Sequence, residues 1–137
     1  MEKINLLKRK FKGYNLDGYL IPKNDEFFSE YTPNNKNNLQ YISNFSGSYG
    51  LGLILKKNNF LFVDGRYTVQ ANMQSGKFFK ILTLPFDKSK FKFELKNKKI
   101  GFDPRLFNEN TINLFSNKLG IKCVAIKEKL IDSKKKR

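Results

Sequence analysis

Leu51-Gly52-Leu53-Ile54-Leu55-Lys56-Lys57-Asn58-Asn59-Phe60-Leu61-Phe62-Val63-Asp64-Gly65 decides the fold. Two apolar runs flank four polar residues. Runs of this length around a polar turn read as a β-hairpin, with strands at 51–55 and 60–63. A hairpin joins antiparallel strands, so the sheet that contains it cannot be wholly parallel.

Outward from the hairpin, the spacing of Tyr67, Ala71 and Gln74 predicts a helix at 66–75, ended by Gly76. A strand at 78–84 stops at Pro85. Residues 86–97 interleave Phe91, Phe93 and Leu95 with lysines, which fits an edge strand or a short amphipathic helix. Strands at 99–102 and 121–126 bracket a helix at 109–119, with Asn108 as its cap and Gly120 as its stop. Upstream, Ile4, Leu7 and Phe11 mark one face of a helix at 3–12, with Gly13 as its expected end. A strand at 17–21 closes at Pro22, residues 22–38 are loop-like, and Leu39–Ile42 form a short helix. The order predicts one α/β domain with a mixed β-sheet flanked by helices.

Composition removes whole classes of chemistry. The 137 residues include no histidine and one cysteine, Cys123. Ser-His-Asp and Cys-His machinery, and any metal site that uses histidine, are excluded within this chain. Cys123 lies in an apolar pattern and reads as a small buried hydrophobe suited to a reducing compartment. No run is long enough to span a membrane, and the N-terminus has no apolar signal segment. The formal charge is +15, carried by lysine with only four arginines. Lys, Asn, Ile and Phe enrichment is what an AT-rich genome produces. No nucleic-acid partner is therefore expected beyond nonspecific charge. A basic nucleic-acid-binding module, resting on the Lys/Phe strip at 86–99, is the alternative.

Three constellations could carry function. Asp64-Gly65-Arg66-Tyr67 sits where a strand meets a helix. Gly65 is expected to permit a sharp turn or a close approach, Asp64 to cap the helix, and Arg66 to offer a planar fork where the composition otherwise favours lysine. Capping with a salt bridge, or a contact site, both fit. Asp25, Glu26 and Glu30 cluster in the 22–38 loop beside Phe27, Phe28 and Tyr31. These acids fit a solvated or ion-paired loop better than an acid/base pair or a cation site. Gly47-Ser48-Tyr49-Gly50 precedes a strand and lacks a Gly-Lys-Ser/Thr end, so it reads as a turn rather than a phosphate cradle.

The order of pieces resembles a known family. Gly18-Tyr19-Leu20-Ile21-Pro22 comes first, then Asp25-Glu26 with Ser29-Glu30-Tyr31, then Tyr41-Ile42-Ser43-Asn44-Phe45-Ser46-Gly47-Ser48-Tyr49-Gly50. Phe62-Val63-Asp64-Gly65-Arg66-Tyr67 with Gln70-Ala71 follows, and then Lys99-Ile100-Gly101-Phe102-Asp103-Pro104. Together they resemble the N-terminal domain of Xaa-Pro aminopeptidases, the creatinase/prolidase N-terminal domain. Leu130-Ile131-Asp132 resembles the segment before that family's interdomain linker.

The resemblance implies a ribonuclease H-like fold over residues 1–132, with 133–137 as a basic tail or the start of a linker. It implies that the catalytic pita-bread domain, with its two divalent metals (Mn in the usual case), is absent here. The chain would carry no catalytic residue and no metal or other cofactor. Its expected work is oligomerisation, as a homodimer through the full-length protein, and control of access for proline-containing peptides in a cytoplasmic enzyme. The expected partner is the C-terminal catalytic domain. A free-standing interaction domain derived from the peptidase is a further alternative. Asp64, Arg66, Tyr67, Asp25, Glu30 and Tyr31 are the expected access or interdomain contacts. Phe27 and Phe28 stand where many relatives carry His, and Asn37 and Asn38 where many carry Arg, so polar contacts at those positions are not expected to carry over.

Overall fold

The computed structural model describes residues 2–22, 38–47, 50–83 and 95–131. Helix α1 (Glu2–Tyr14) leads into strand β1 (Gly18–Pro22), and α2 (Asn38–Ser43) precedes the hairpin of β2 (Gly50–Leu55) and β3 (Asn59–Val63). A 3-10 turn (Gly65–Tyr67), α3 (Thr68–Ser75) and β4 (Lys80–Thr83) follow. Then come β5 (Lys99–Phe102), α4 (Glu109–Leu119) and β6 (Lys122–Ala125). The six strands form one sheet in the order β4-β3-β2-β1-β5-β6. The pairs β1/β2 and β2/β3 are antiparallel, whereas β3/β4, β1/β5 and β5/β6 are parallel. Strand β2 alone therefore runs against the other five. The α/β architecture with a mixed sheet flanked by helices is as the sequence predicts.

The pleat sends alternate residues to opposite faces, and both faces are covered. On one, Tyr19, Ile21, Ile54, Leu61 and Val63 pack with Ile4, Leu7 and Phe11 of α1, Leu39 and Ile42 of α2, and Ala71 of α3. On the other, Leu20, Leu53, Phe60 and Phe62 join Phe115 and Leu119 of α4, with Leu106 and Phe107 from the turn after β5. Gly52 lets α2 lie close to the sheet, since a Cβ there would stand 2.9 Å from Leu39 Cδ1.

Several boundaries differ from expectation for local reasons. Helix α1 runs past Gly13 to Tyr14, and Asn15 takes the left-handed position at φ 57°. The Asn15 and Leu16 N–H groups donate to Lys12 and Phe11 carbonyls at 3.2 and 2.9 Å, with Leu16 buried over Phe11. This is a Schellman closure built on Asn instead of Gly. The expected helix at 66–75 opens as a 3-10 turn. Gly76, at φ −62°, stays right-handed and stops α3 without the conformation that favours glycine. Strand β4 begins at Lys80, not at 78, because the Phe78 and Phe79 N–H groups bond back to the Ser75 carbonyl. Helix α4 is as predicted, with Asn108 Oδ1 accepting from Thr111 N–H at 2.8 Å and Gly120 at φ 69°. Residues 84–94, which hold most of the Lys/Phe strip, lie outside the described residues.

Candidate functional site

Strand direction sorts the loops. The C-terminal ends of β1, β3, β4, β5 and β6 and the start of β2 share one edge of the sheet. In open α/β sheets, ligands bind outside the carboxyl ends of the strands. Asp64-Gly65-Arg66-Tyr67 leaves β3 at this edge, and Asp103-Pro104-Arg105 leaves β5 there.

Asp64 Oδ1 accepts from the Arg66 backbone N–H at 2.9 Å and from Arg66 Nε at 3.2 Å. The cap and the ion pair expected from sequence are thus one device. These bonds from Arg66 hold the Asp64 carboxyl below the usual carboxylate range, the backbone bond contributing most. The two side chains are 47 % and 78 % exposed, so the pair adds little to folding free energy. Its effect is geometric. With Nε engaged and the guanidinium carbon 5.4 Å from the Tyr67 ring centre, Arg66 keeps both Nη groups without a hydrogen bond among the described residues. Gly65 does not do what its type suggested. It has no positive φ, and a Cβ there would meet nothing within 4 Å.

Asp103 and Arg105 repeat the Asp-x-Arg spacing with the opposite outcome. Asp103 is buried, and its two oxygens accept from Arg105 N and Nε at 3.0 and 2.9 Å and from Nη2 at 3.0 Å. This fork is spent on closing a turn.

Residues 43–47 lock onto the Asp64 turn and α3. The Ser75 hydroxyl donates to the Ser43 carbonyl at 2.6 Å, and the Ser43 hydroxyl to the Leu39 carbonyl at 2.6 Å. The Ser46 N–H donates to Gln74 Oε1 at 3.0 Å, while Gln70 and Gln74 Nε2 donate to Ser46 Oγ at 3.1 and 2.9 Å. Phe45 meets Tyr67 edge-on at 6.3 Å between ring centres. Residues 41–47 and 62–75, which include parts of two of the pieces that carry the resemblance, therefore form one unit in space. The bonds between Ser46 and Gln74 escaped the sequence reading because polar side chains carry no signal of their partner until its position is known. Asp64, Arg66 and Tyr67 stand together; Asp25, Glu30 and Tyr31, with Phe27, Phe28 and Asn37, lie outside the described residues. Among the described residues, no group of three His, Cys, Asp or Glu is placed to hold a metal ion, and no helix is long and apolar enough to cross a membrane.

The creatinase/prolidase N-terminal domain profile matches residues 3–133. The chain belongs to this family. A probable Xaa-Pro aminopeptidase P of Laccaria bicolor is 31 % identical over 140 residues, covering 96 % of this chain and 22 % of that protein. Xaa-Pro aminopeptidase 1 of Dictyostelium discoideum is 33 % identical over 139 residues, covering 97 % of this chain and 21 % of that protein. This creatinase/prolidase domain thus spans about a fifth of the length of those relatives. Among solved structures, the X-prolyl aminopeptidase of Caenorhabditis elegans, described as a cytosolic enzyme with a di-nuclear active site, superposes with a TM-score of 0.79. It is 25 % identical, and the match covers 96 % of this chain and 24 % of that one. The N-terminal domain of the Mycobacterium tuberculosis peptidase PepQ shares the fold, with a TM-score of 0.69 at 21 % identity over 91 % of this chain and 92 % of that one.

Proposed function

We propose that the chain is the non-catalytic N-terminal part of a metal-dependent Xaa-Pro aminopeptidase, a cytoplasmic enzyme that cleaves the bond before proline. In this reading the domain builds the homodimer and borders the entrance to the active site. Catalysis, and the two metals (Mn in the usual case), reside in a C-terminal domain beyond these residues. The observation that carries it is Arg66. Its guanidinium is oriented by Asp64 and Tyr67, adds little to the fold, and keeps two exposed donor groups without a hydrogen bond among the described residues. A fork held this way suits a carboxylate, from a peptide C-terminus or from an acidic side chain across an interface.

The pure 137-residue chain is expected to leave Xaa-Pro peptides intact with Mn present. The intact mass of the native polypeptide tells whether a catalytic domain follows. In a native enzyme, Arg66→Ala is expected to raise KM or to weaken subunit association, with kcat and melting temperature unchanged. Cleavage by the isolated chain sinks the division of labour. An Arg66→Ala enzyme with unaltered KM and association sinks the role of Arg66. A native mass of 16.1 kDa would favour the free-standing interaction domain instead.

A further inference from the structure

Among the described residues, the edge opposite Asp64 carries a row of lysines. Following the strand register across it, Lys80 opens β4, Lys56 and Lys57 form the β2–β3 turn, Lys99 opens β5, and Lys122 pairs with Lys99 from the first position of β6. All five are exposed. Among the described residues the only acid in this row is Asp17, 3.9 Å from Lys56. Lys57, Lys80, Lys99 and Lys122 have no acidic partner among the described residues. The row crosses six strands, roughly 24 Å at about 4.8 Å per strand.

Uniform lysine enrichment does not explain this. At the other edge Arg66 and Arg105 are paired with Asp64 and Asp103. On α1, Lys3 and Lys10 are drawn inward to the carbonyls of Tyr41 and Leu130.

Two hollows interrupt the row on either side of the β2–β3 turn. One, of about 660 Å³, takes Lys56 together with Lys8, Arg9 and Lys12 of α1. The other, of about 380 Å³, is lined by Lys57, Asn59, Phe78 and Lys80. Phe78 is an exposed ring with Lys77 Nζ 5.5 Å from its centre. Asn59 Nδ2 donates to the Phe78 carbonyl at 3.0 Å, which leaves Asn59 Oδ1 buried with no donor. A cationic hollow with an aromatic face matches a nucleotide: phosphate for the lysines and a base face for Phe78.

We propose that this lysine rim binds single-stranded nucleic acid, the phosphates following Lys80, Lys57, Lys56, Lys99 and Lys122 and one base seated against Phe78. The surface lies away from the Asp64 turn and does not depend on the peptidase reading. Lysine ammoniums are point charges without a bidentate fork, so the binding is blind to sequence.

The test is fluorescence anisotropy of a labelled 20-residue oligouridylate with the 137-residue chain, from 50 to 250 mM KCl. Binding should persist at 150 mM. The paired change Lys57→Glu with Lys80→Glu should weaken it at least tenfold and flatten the salt slope by about 1.4. Lys127→Glu with Lys129→Glu makes the same change of charge outside the row and should cost less than threefold. Phe78→Ala, which keeps the charge, should cost about fivefold or more. Circular dichroism confirms that these surface variants fold. Equal losses from the two lysine pairs, binding gone by 150 mM, or capture of phosphatidylserine vesicles without oligouridylate would each overturn the proposal.

Discussion

At Asp64 a single carboxylate oxygen fixes both the start of a helix and the direction of the neighbouring guanidinium. The sign of its pH dependence follows. A carboxyl held below its usual range contributes stability that is present above the unfolded value, about 3.9, and is lost as pH falls through the lower folded value. Because the group is on the surface, a direct titration is the better probe than melting. The Asp64 carboxyl resonance should move below the ordinary aspartate range in the native chain and return toward it in Arg66→Ala. Cys123 and Tyr19 act at the other end of the scale. Burial pushes the Cys123 thiol up to about 11 and drives the Tyr19 hydroxyl upward as well, with Asp103 adding to the latter. In both, the unfolded chain releases its proton first, so stability falls as pH rises above about 9. Melting temperature should therefore drop on the alkaline side, less steeply in Cys123→Ala. At neutral pH the native thiol should react slowly with iodoacetamide. Gly65→Ala should change unfolding free energy by less than about 0.5 kcal/mol, since the new methyl meets open space. Gly52→Ala should cost about 1–3 kcal/mol in urea unfolding, because it drives Leu39 off the sheet.

Elements begin and end where side chains can satisfy the backbone, and this governs which boundaries a sequence discloses. Asn108 announces α4 because Asn before an amphipathic run has a specific partner, the N–H three residues on. Asn108→Ala should lower stability by about 1 kcal/mol, read as a shift of the urea midpoint at constant slope. Asn15 was hidden by Gly13, the commoner residue for a helix stop. Asn15→Val should cost about 1–2 kcal/mol, as a β-branched residue in the left-handed region. The hairpin, the helix faces and the mixed sheet were legible because apolar spacing reports burial directly. The Ser43–Ser75 and Ser46–Gln74 bonds were not, since they join residues whose separation in sequence, 32 and 28, says nothing of their meeting in space. Asp64, Arg66 and Tyr67 were legible as a group because they are contiguous. The five exposed lysines of the rim were present in the composition but invisible as a surface until register aligned them.

Across the whole molecule the sheet separates two kinds of edge. One holds the paired Asp-x-Arg turns, the other a row of lysines in which only Lys56 has an acidic partner among the described residues. Both faces are buried by helices, so neither core cluster is dispensable. Leu61→Ala under α1 to α3, or Phe115→Ala on the buried face of α4, should each cost several kcal/mol, about 2–5, in equilibrium unfolding.

The lone reversed strand sets an order of events as well as a shape. Strands β2 and β3 meet through register pairs that begin with Ile54 and Asn59 at the hairpin turn, and β1 joins β2 through pairs from Pro22 with Leu51 to Gly18 with Leu55, whereas the Lys99 N–H reaches Asp17 across 82 positions. Closing the short loop is entropically cheap, and recruiting β5 and β6 requires the chain to search a much larger volume. The hairpin should therefore be structured when the rate-limiting barrier is crossed, and the β5–β6 arm should dock afterwards. In stopped-flow refolding, Leu53→Ala is expected chiefly to slow folding. Ile100→Val is expected chiefly to speed unfolding, because its partners assemble on the far side of the barrier.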